Sequence, residues 1–307
     1  MGRKKNKGRS VHGVVLLDKP LNISSNHALQ KIKRLFNAAK AGHTGSLDPL
    51  ATGMLPICLG EATKISAFLL DADKTYRFKC KLGEKTTTAD AEGDVIDSRP
   101  FEHIQQTDIE NVLPEFVGEV LQVPPMYSAL KKDGQRLYDL ARQGIEVERK
   151  ARPVTIYSLE LLSFENGEVE LETRCSKGTY VRTLAEDLGE KLGCGAYVTM
   201  LRRTSVGPYQ AGMVTMEQLL ELGEQARESA DYAALDSLML DLDSGIADWP
   251  KVELDADSSY YIKLGQPVQI ARAPTEGKVR IYDDSGFIGV GEMQDDGRIA
   301  PKRMMNL

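Results

Sequence analysis

The stretch Gly42-His43-Thr44-Gly45-Ser46-Leu47-Asp48-Pro49-Leu50-Ala51-Thr52-Gly53 holds three glycines, one of the chain's four histidines and a single carboxylate set against a proline. Glycine lets a backbone take positive φ and approach a ligand closely. Pro49 excludes Asp48 from the α region, into extended or turn geometry. The stretch therefore reads as a tight loop presenting one acid in a fixed direction. On the residues alone a plainer reading stands beside it, in which Asp-Pro simply opens a turn at positions i and i+1. No second carboxylate lies nearby, which leaves a two-acid glycosidase arrangement without local support. One His and one Asp five residues apart make no metal site.

Outward from this loop the chain reads as an ordinary globular protein. Its 307 residues suit one large domain plus a smaller one, with 41% hydrophobic and 27% charged residues. No apolar run approaches the ~20 residues of a membrane helix, and the basic start has no apolar h-region of a secretory signal behind it. Cys58, Cys80, Cys175 and Cys194 form no C-x-x-C, which fits reduced, buried thiols in a cytoplasmic protein. The net charge of −6 hides an uneven distribution. Residues 1–70 carry eleven Lys/Arg against three acids, whereas residues 217–257 carry twelve acids against Arg227 and Lys251. A local positive field can gather phosphates despite a negative total, although a solvated basic face accounts for the count equally well.

The periodicities predict the elements. Residues 13–18 form a buried strand, and Ser24/Ser25 can cap a helix whose apolar stripe falls at 28, 29, 32, 35 and 36. A strand covers 54–59 and a helix about 62–70. In 74–82, Tyr76, Phe78, Cys80 and Leu82 share one face and Arg77, Lys79 and Lys81 the other. Thr86 to Gly93 is a polar loop, a helix near 107–117 breaks around Pro114, and an amphipathic helix covers 135–142. Strands 153–164 and 168–175 join across Asn166-Gly167, a hairpin signal. A helix runs to Lys191 and stops at Gly193, and a strand covers 196–206. The acidic stretch 215–247 is helical, then loose. Short β runs at 267–271, 278–282 and 287–293 suggest a small barrel. The class is α+β with a mostly antiparallel sheet.

Four stretches, in order, resemble motifs of the bacterial tRNA pseudouridine synthase B family. They are Leu17-Asp18-Lys19-Pro20 with Ser24-Ser25, the Asp48 loop, Pro125-Met126-Tyr127-Ser128-Ala129-Leu130-Lys131, and the run from Cys175 through Gly178-Thr179-Tyr180-Val181-Arg182 to Leu188. Ser46 departs from the family's usual alanine. The resemblance covers nearly the whole chain and implies the pseudouridine synthase fold, a mixed, mostly antiparallel central sheet flanked by helices. It implies a catalytic domain over 11–248 after a basic, flexible tail at 1–10, then a small C-terminal β-barrel (PUA-like) RNA-binding domain over 249–307.

The activity implied is isomerisation of the T-loop uridine of tRNA to pseudouridine. The N1–C1′ bond breaks, the uracil rotates, and C5 takes its place, without cofactor or metal. The base must leave its stack to be reached. Asp48 is the implied nucleophile, on C1′ or on C6. Arg182, on residues alone a helix-surface cation, is the implied partner that keeps it ionised. Tyr76 reads as a core tyrosine; the resemblance stacks it on the uracil and makes it a candidate for C5 proton removal. Tyr180 and Leu201 become pocket residues as well as packed ones. His43, otherwise a loop-packing histidine, fills or braces the gap left by the flipped base. Lys19 and Pro20 support the pocket floor. Arg202, Arg203 and the cations of 28–40 are candidate phosphate contacts. The implied protein is a cytoplasmic monomer, away from membranes, acting on the tRNA T stem-loop. A non-catalytic RNA-binding or tRNA-folding protein with the same pocket is the alternative. A small-glycoside hydrolase lacks its second acid.

Overall fold

The computed structural model describes residues 8–307; residues 1–7 of the expected basic tail lie outside them. From the N-terminal side the elements are β1 (Gly13–Lys19), α1 (Ser25–Leu35), β2 (Ala41–His43), β3 (Ala51–Leu59), a 3-10 turn (Gly60–Lys64) running into α2 (Ser66–Leu70), and β4 (Lys74–Leu82). Then follow β5 (Glu84–Thr86), β6 (Val95–Ser98), α3 (Gln106–Val112), β7 (Gly118–Gln122), β8 (Lys131–Lys132), β9 (Gln135–Arg136) and α4 (Leu137–Ala141). The middle of the chain closes with β10 (Arg152–Glu165), β11 (Glu168–Cys175), α5 (Val181–Lys191) and β12 (Ala196–Val206). Last come β13 (Val214–Thr215), α6 (Met216–Ser229), α7 (Ala233–Asp236), β14 (Lys251–Glu253), α8 (Ala256–Lys263), β15 (Val268–Gln269), β16 (Lys278–Asp283), β17 (Gly286–Met293) and β18 (Arg298–Met304).

Two compact units divide these elements. One contains residues up to Leu47, Met54–Leu70 and Gly207–Leu307; the other contains Asp48–Gly53 and Asp71–Val206. In the second unit the strand order is β3 (its first residues), β12, β4, β11, β10, β7. Only the β3–β12 pair is parallel among these neighbours. The alternation read in β4 buries Phe78, Cys80 and Leu82 on one face. Asn166 and Gly167 both take positive φ, the geometry a two-residue hairpin needs, and they join β10 to β11. Gly189 lets α5 lie against the start of β12, since an added Cβ would sit 2.2 Å from the Ala196 nitrogen.

The first unit orders β13, β1 and β3, with β2 antiparallel on β3. The helical stripe of α1 is buried as its spacing predicts, at Ala28, Leu29, Ile32 and Leu35. Ser24 caps it, accepting from His27 N at 3.2 Å. The C-terminal residues form a half-barrel sheet in the order β14, β16, β17, β18, β15. Its core joins Val252, Ile262, Val279, Ile281, Ile288 and Ile299. Phe287 and Val290 pack elsewhere, with Ile65 of the 3-10 and α2 region and with Ile246. Arg280 Nη1 meets Asp243 at 2.8 Å beside that cluster, and the Tyr282 hydroxyl donates to the same carboxylate.

Two acidic residues of 217–257 thus have internal work, because Asp236 also pairs with Arg9, whose guanidinium lies over Tyr232. Arg9 is therefore held, unlike the loose tail expected for it. All four cysteines are free and buried. Burial pushes the thiols up, to about 12 at Cys58 and Cys80 and about 11 at Cys175. Among the described residues no helix is long and apolar enough to cross a membrane.

Candidate active site

The Asp48 loop joins β2 to β3, whose pairing runs Ala41↔Leu59, Gly42↔Cys58 and His43↔Ile57. Ala51 N donates to Asp48 O at 3.0 Å, which closes a turn with Pro49 at its second position. Both sequence readings hold together, because the ordinary Asp-Pro turn is what aims the carboxylate. Ser25 fixes the approach to it: its hydroxyl accepts from Leu47 N at 2.7 Å and donates to Leu47 O at 3.0 Å. Of the two serines able to cap α1, Ser24 takes that part and Ser25 is left to hold the loop. Beyond the turn, Gly53 has φ +96°, and a Cβ there would lie 2.2 Å from the Arg203 carbonyl oxygen. Only glycine fits this close approach of β3 to β12.

Arg182 stands in the first turn of α5, 3.0 Å from Asp48 Oδ2 through Nη2. The acid side chain is 40% exposed and the arginine side chain 5%. A buried cation thus backs a carboxylate that keeps an open side. Burying a guanidinium is unfavourable unless it is paired and hydrogen-bonded, and Arg182 meets both conditions. Nη2 donates to Tyr127 O at 2.7 Å and Nη1 to Thr88 O at 3.0 Å. A second carboxylate, Asp90 Oδ2, lies 3.3 Å from Nη1 and is itself buried. Asp90 Oδ1 accepts from Thr88 Oγ1 at 2.5 Å and Glu92 N at 3.0 Å. The polar loop carrying it is tied to β12 through Ala91 N to Val198 O at 2.9 Å and Val198 N to Ala89 O at 3.1 Å.

Tyr76 is half-buried on β4, directly opposite Arg203 on β12 and Thr173 on β11. Burial pushes its phenol up; the Arg203 guanidinium, as charge and as hydrogen-bond donor, opposes this, while Cys175 and Asp48 add to the rise. Leu201 is buried on the same sheet, opposite Phe78 on β4 and Ala51 on β3. Tyr180 precedes α5, and Gln122 of β7 grips its backbone on both sides, accepting from Tyr180 N at 2.8 Å and donating to Tyr180 O at 3.1 Å. The Tyr180 phenol is also pushed up by burial, with the Ser128 hydroxyl and Arg182 opposing.

Asp48, Tyr76, Tyr180, Arg182 and Leu201 therefore belong to one unit. Lys19, Pro20 and His43 belong to the other. Lys19 is fully buried at the end of β1, and its ammonium donates to Pro20 O and Ile23 O, both at 2.8 Å. His43 ends β2, half-buried, opposite Ile57. Arg203 departs from its reading as a phosphate contact, since only 1% of it is exposed. Asp90, Gln122 and the Leu47 grip of Ser25 were not read from the sequence. The Thr86–Thr88 cluster ahead of Asp90 was the one available signal, because hydroxyls beside an acid suit a self-bonded turn. Among the described residues, no group of three or more His, Cys, Asp or Glu gathers as for a metal ion.

The chain is similar to known proteins along nearly its whole length. Residues 33–181 match the N-terminal domain of TruB family pseudouridylate synthases. Residues 182–247 match the tRNA pseudouridylate synthase B C-terminal domain, and residues 250–305 match the pseudouridine synthase II TruB C-terminal model. Curated proteins named tRNA pseudouridine synthase B are similar along their length. That of Serratia proteamaculans is 54% identical over 99% of this chain and 98% of its own. That of Aeromonas salmonicida is 55% identical over 99% and 96%. Among solved structures, a chain of an H/ACA ribonucleoprotein bound to a substrate RNA containing 2′-deoxyuridine superposes with TM-score 0.74 at 21% identity, covering 100% of this chain and 92% of that one. A chain of a Cbf5–Nop10–Gar1 complex gives 0.72 at 26%, covering 95% and 84%. With near-complete coverage at such identity, and the acid and guanidinium in contact, the chain belongs to the TruB family of pseudouridine synthases.

Proposed function

We propose that this protein is a tRNA pseudouridine synthase that flips out the T-loop uridine and isomerises it, with Asp48 as nucleophile. The observation that carries the reading is the pair of half-open Asp48 and buried Arg182 at 3.0 Å. Nucleophilic attack needs an ionised carboxylate with an exposed face, and an adjacent guanidinium favours that form. Asp90 and the Thr88 and Tyr127 carbonyls position Arg182. Tyr76 stacks on the uracil and receives the C5 proton, while Tyr180 and Leu201 line the pocket. His43 braces the space left by the base, and Lys19 and Pro20 hold the end of β1 in shape. Residues 249–307 act as an RNA-binding appendage to a catalytic region over 11–248, and the enzyme works as a cytoplasmic monomer.

A binder that never catalyses has no use for a carboxylate held by a buried cation. Mass mapping of a tRNA transcript, before and after incubation with the purified protein alone, tests the activity and its position. Asp48→Ala should bind T stem-loop RNA with unchanged affinity and form no pseudouridine. Normal turnover by that variant removes the nucleophile assignment; absence of turnover by the native protein favours the binder.

A further inference from the structure

A row of opposed residues crosses the sheet of the second unit: Gly53 on β3, Arg203 on β12, Tyr76 on β4 and Thr173 on β11. Directly opposed residues project to one face of a sheet. Here it is the apolar face, where Leu201 opposes Phe78 two residues along. A permanent cation has thus been placed among hydrophobic neighbours, 1% exposed, where no phosphate reaches it. Such burial demands hydrogen-bonding partners, and one of them is the Tyr76 hydroxyl. Gly53 brings no side chain to the row, and its close contact with the Arg203 carbonyl fixes the backbone from which the guanidinium extends. The Asp48–Arg182 pair leaves this second cation without a part in the chemistry.

Resting on the reading of Tyr76 as acceptor of the C5 proton, we infer that Arg203 is a positioning residue for that step, holding the Tyr76 oxygen in place and stabilising its phenolate. In the step the C5–H bond breaks, its electron pair stays in the uracil ring, and the proton passes to the Tyr76 oxygen. The phenol then gives that proton to N1 of the new pseudouridine, which restores the phenolate. The charged and titratable groups around this row are Arg203 from β12, Cys175 at the end of β11, Asp48 from the loop before β3, and Lys74, two residues before Tyr76 on β4 and opposite Cys175. Among these Arg203 favours the ionised phenol, whereas burial, Asp48 and Cys175 oppose it.

The test uses the full chain and T stem-loop RNA, with Arg203→Met, Arg203→Lys, Tyr76→Phe and the Arg203→Met/Tyr76→Phe double variant. Arg203→Met should lower kcat about 100-fold, the low end for a proton-transfer group, with KM changed less than about twofold. The alkaline rise of its pH–rate profile should move to higher pH than that of the native protein, and Arg203→Lys should recover at least about tenfold. In the Tyr76→Phe background the Arg203→Met change should cost less than about threefold, since residues acting as a unit are not additive. Equal losses in both backgrounds, or a raised KM with kcat intact, overturn the inference in favour of a purely structural arginine. If Arg203→Met does not fold, the shifted pH–rate profile of Arg203→Lys decides. Full activity in Tyr76→Phe removes the reading of Tyr76 and the inference with it; loss in Tyr76→Phe but none in Arg203→Met removes the inference alone.

Discussion

Arg182 is shared between two carboxylates, Asp48 at 3.0 Å and Asp90 at 3.3 Å, and the division sets how tightly the proposed nucleophile, Asp48, is held. Asp90→Asn removes one anion and leaves Asp48 as the sole charged partner in this pair. Single-turnover kinetics should then show kcat reduced by about tenfold or more, ~1.4 kcal/mol of barrier, with RNA affinity unaltered. Ser25→Ala should act differently, since it leaves both backbone groups of Leu47 without the hydroxyl that joins them. Urea denaturation should register a loss of about 1–3 kcal/mol, the cost of unsatisfied buried groups. The acid and its setting were legible because glycine, proline and aspartate have backbone meaning at short range. Asp90, Gln122 and the Leu47 contact were not, because a side chain reaching a distant backbone leaves no period or local motif. Arg203 misled for a related reason: an arginine in a strand is usually at the surface.

At the scale of elements, α1, β4, β10, β11, α5 and β12 follow their periodicities closely. Those elements bury a regular face, and the regularity is written in the residues. The loop reading ended too late at Gly53, since β3 already begins at Ala51, where pairing to Leu201 of a distant strand decides the conformation. In the C-terminal sheet β14 has three residues and β18 carries Pro301 among charges, so neither showed as a strand. The first residue of β4 has a measurable consequence. Lys74 is buried, and desolvation, aided by the charge of Arg203, lowers its ammonium from 10.5 to about 8. Between those values the unfolded chain binds more protons than the folded one, so this residue makes stability rise with pH from about 8 to 10.5. Urea midpoints of the native protein should increase relative to Lys74→Met across that window; parallel profiles would rule out the contribution.

For the whole molecule, the C-terminal half-barrel adds to a core as well as carrying its own. Phe287 and Val290 share a cluster with Ile65 and Ile246, and the Arg280–Asp243 pair beside it is only 18% and 9% exposed. Arg280→Met leaves the Asp243 charge with less compensation and should lower stability by about 1.5–3 kcal/mol, seen as an earlier thermal midpoint. An unchanged midpoint would mean that the sheet and this cluster are independent. The proposed division between RNA-binding appendage and catalytic region, read from a change of residue pattern near Trp249-Pro250, does not require two separately stable pieces. The four sealed, reluctant sulfurs have a practical side. Ser46 is exposed two residues before Asp48, so a cysteine introduced there would be the position a maleimide dye reaches first. The native cysteines could stay, and the loop's response to incoming RNA could be followed by fluorescence in an otherwise unaltered chain.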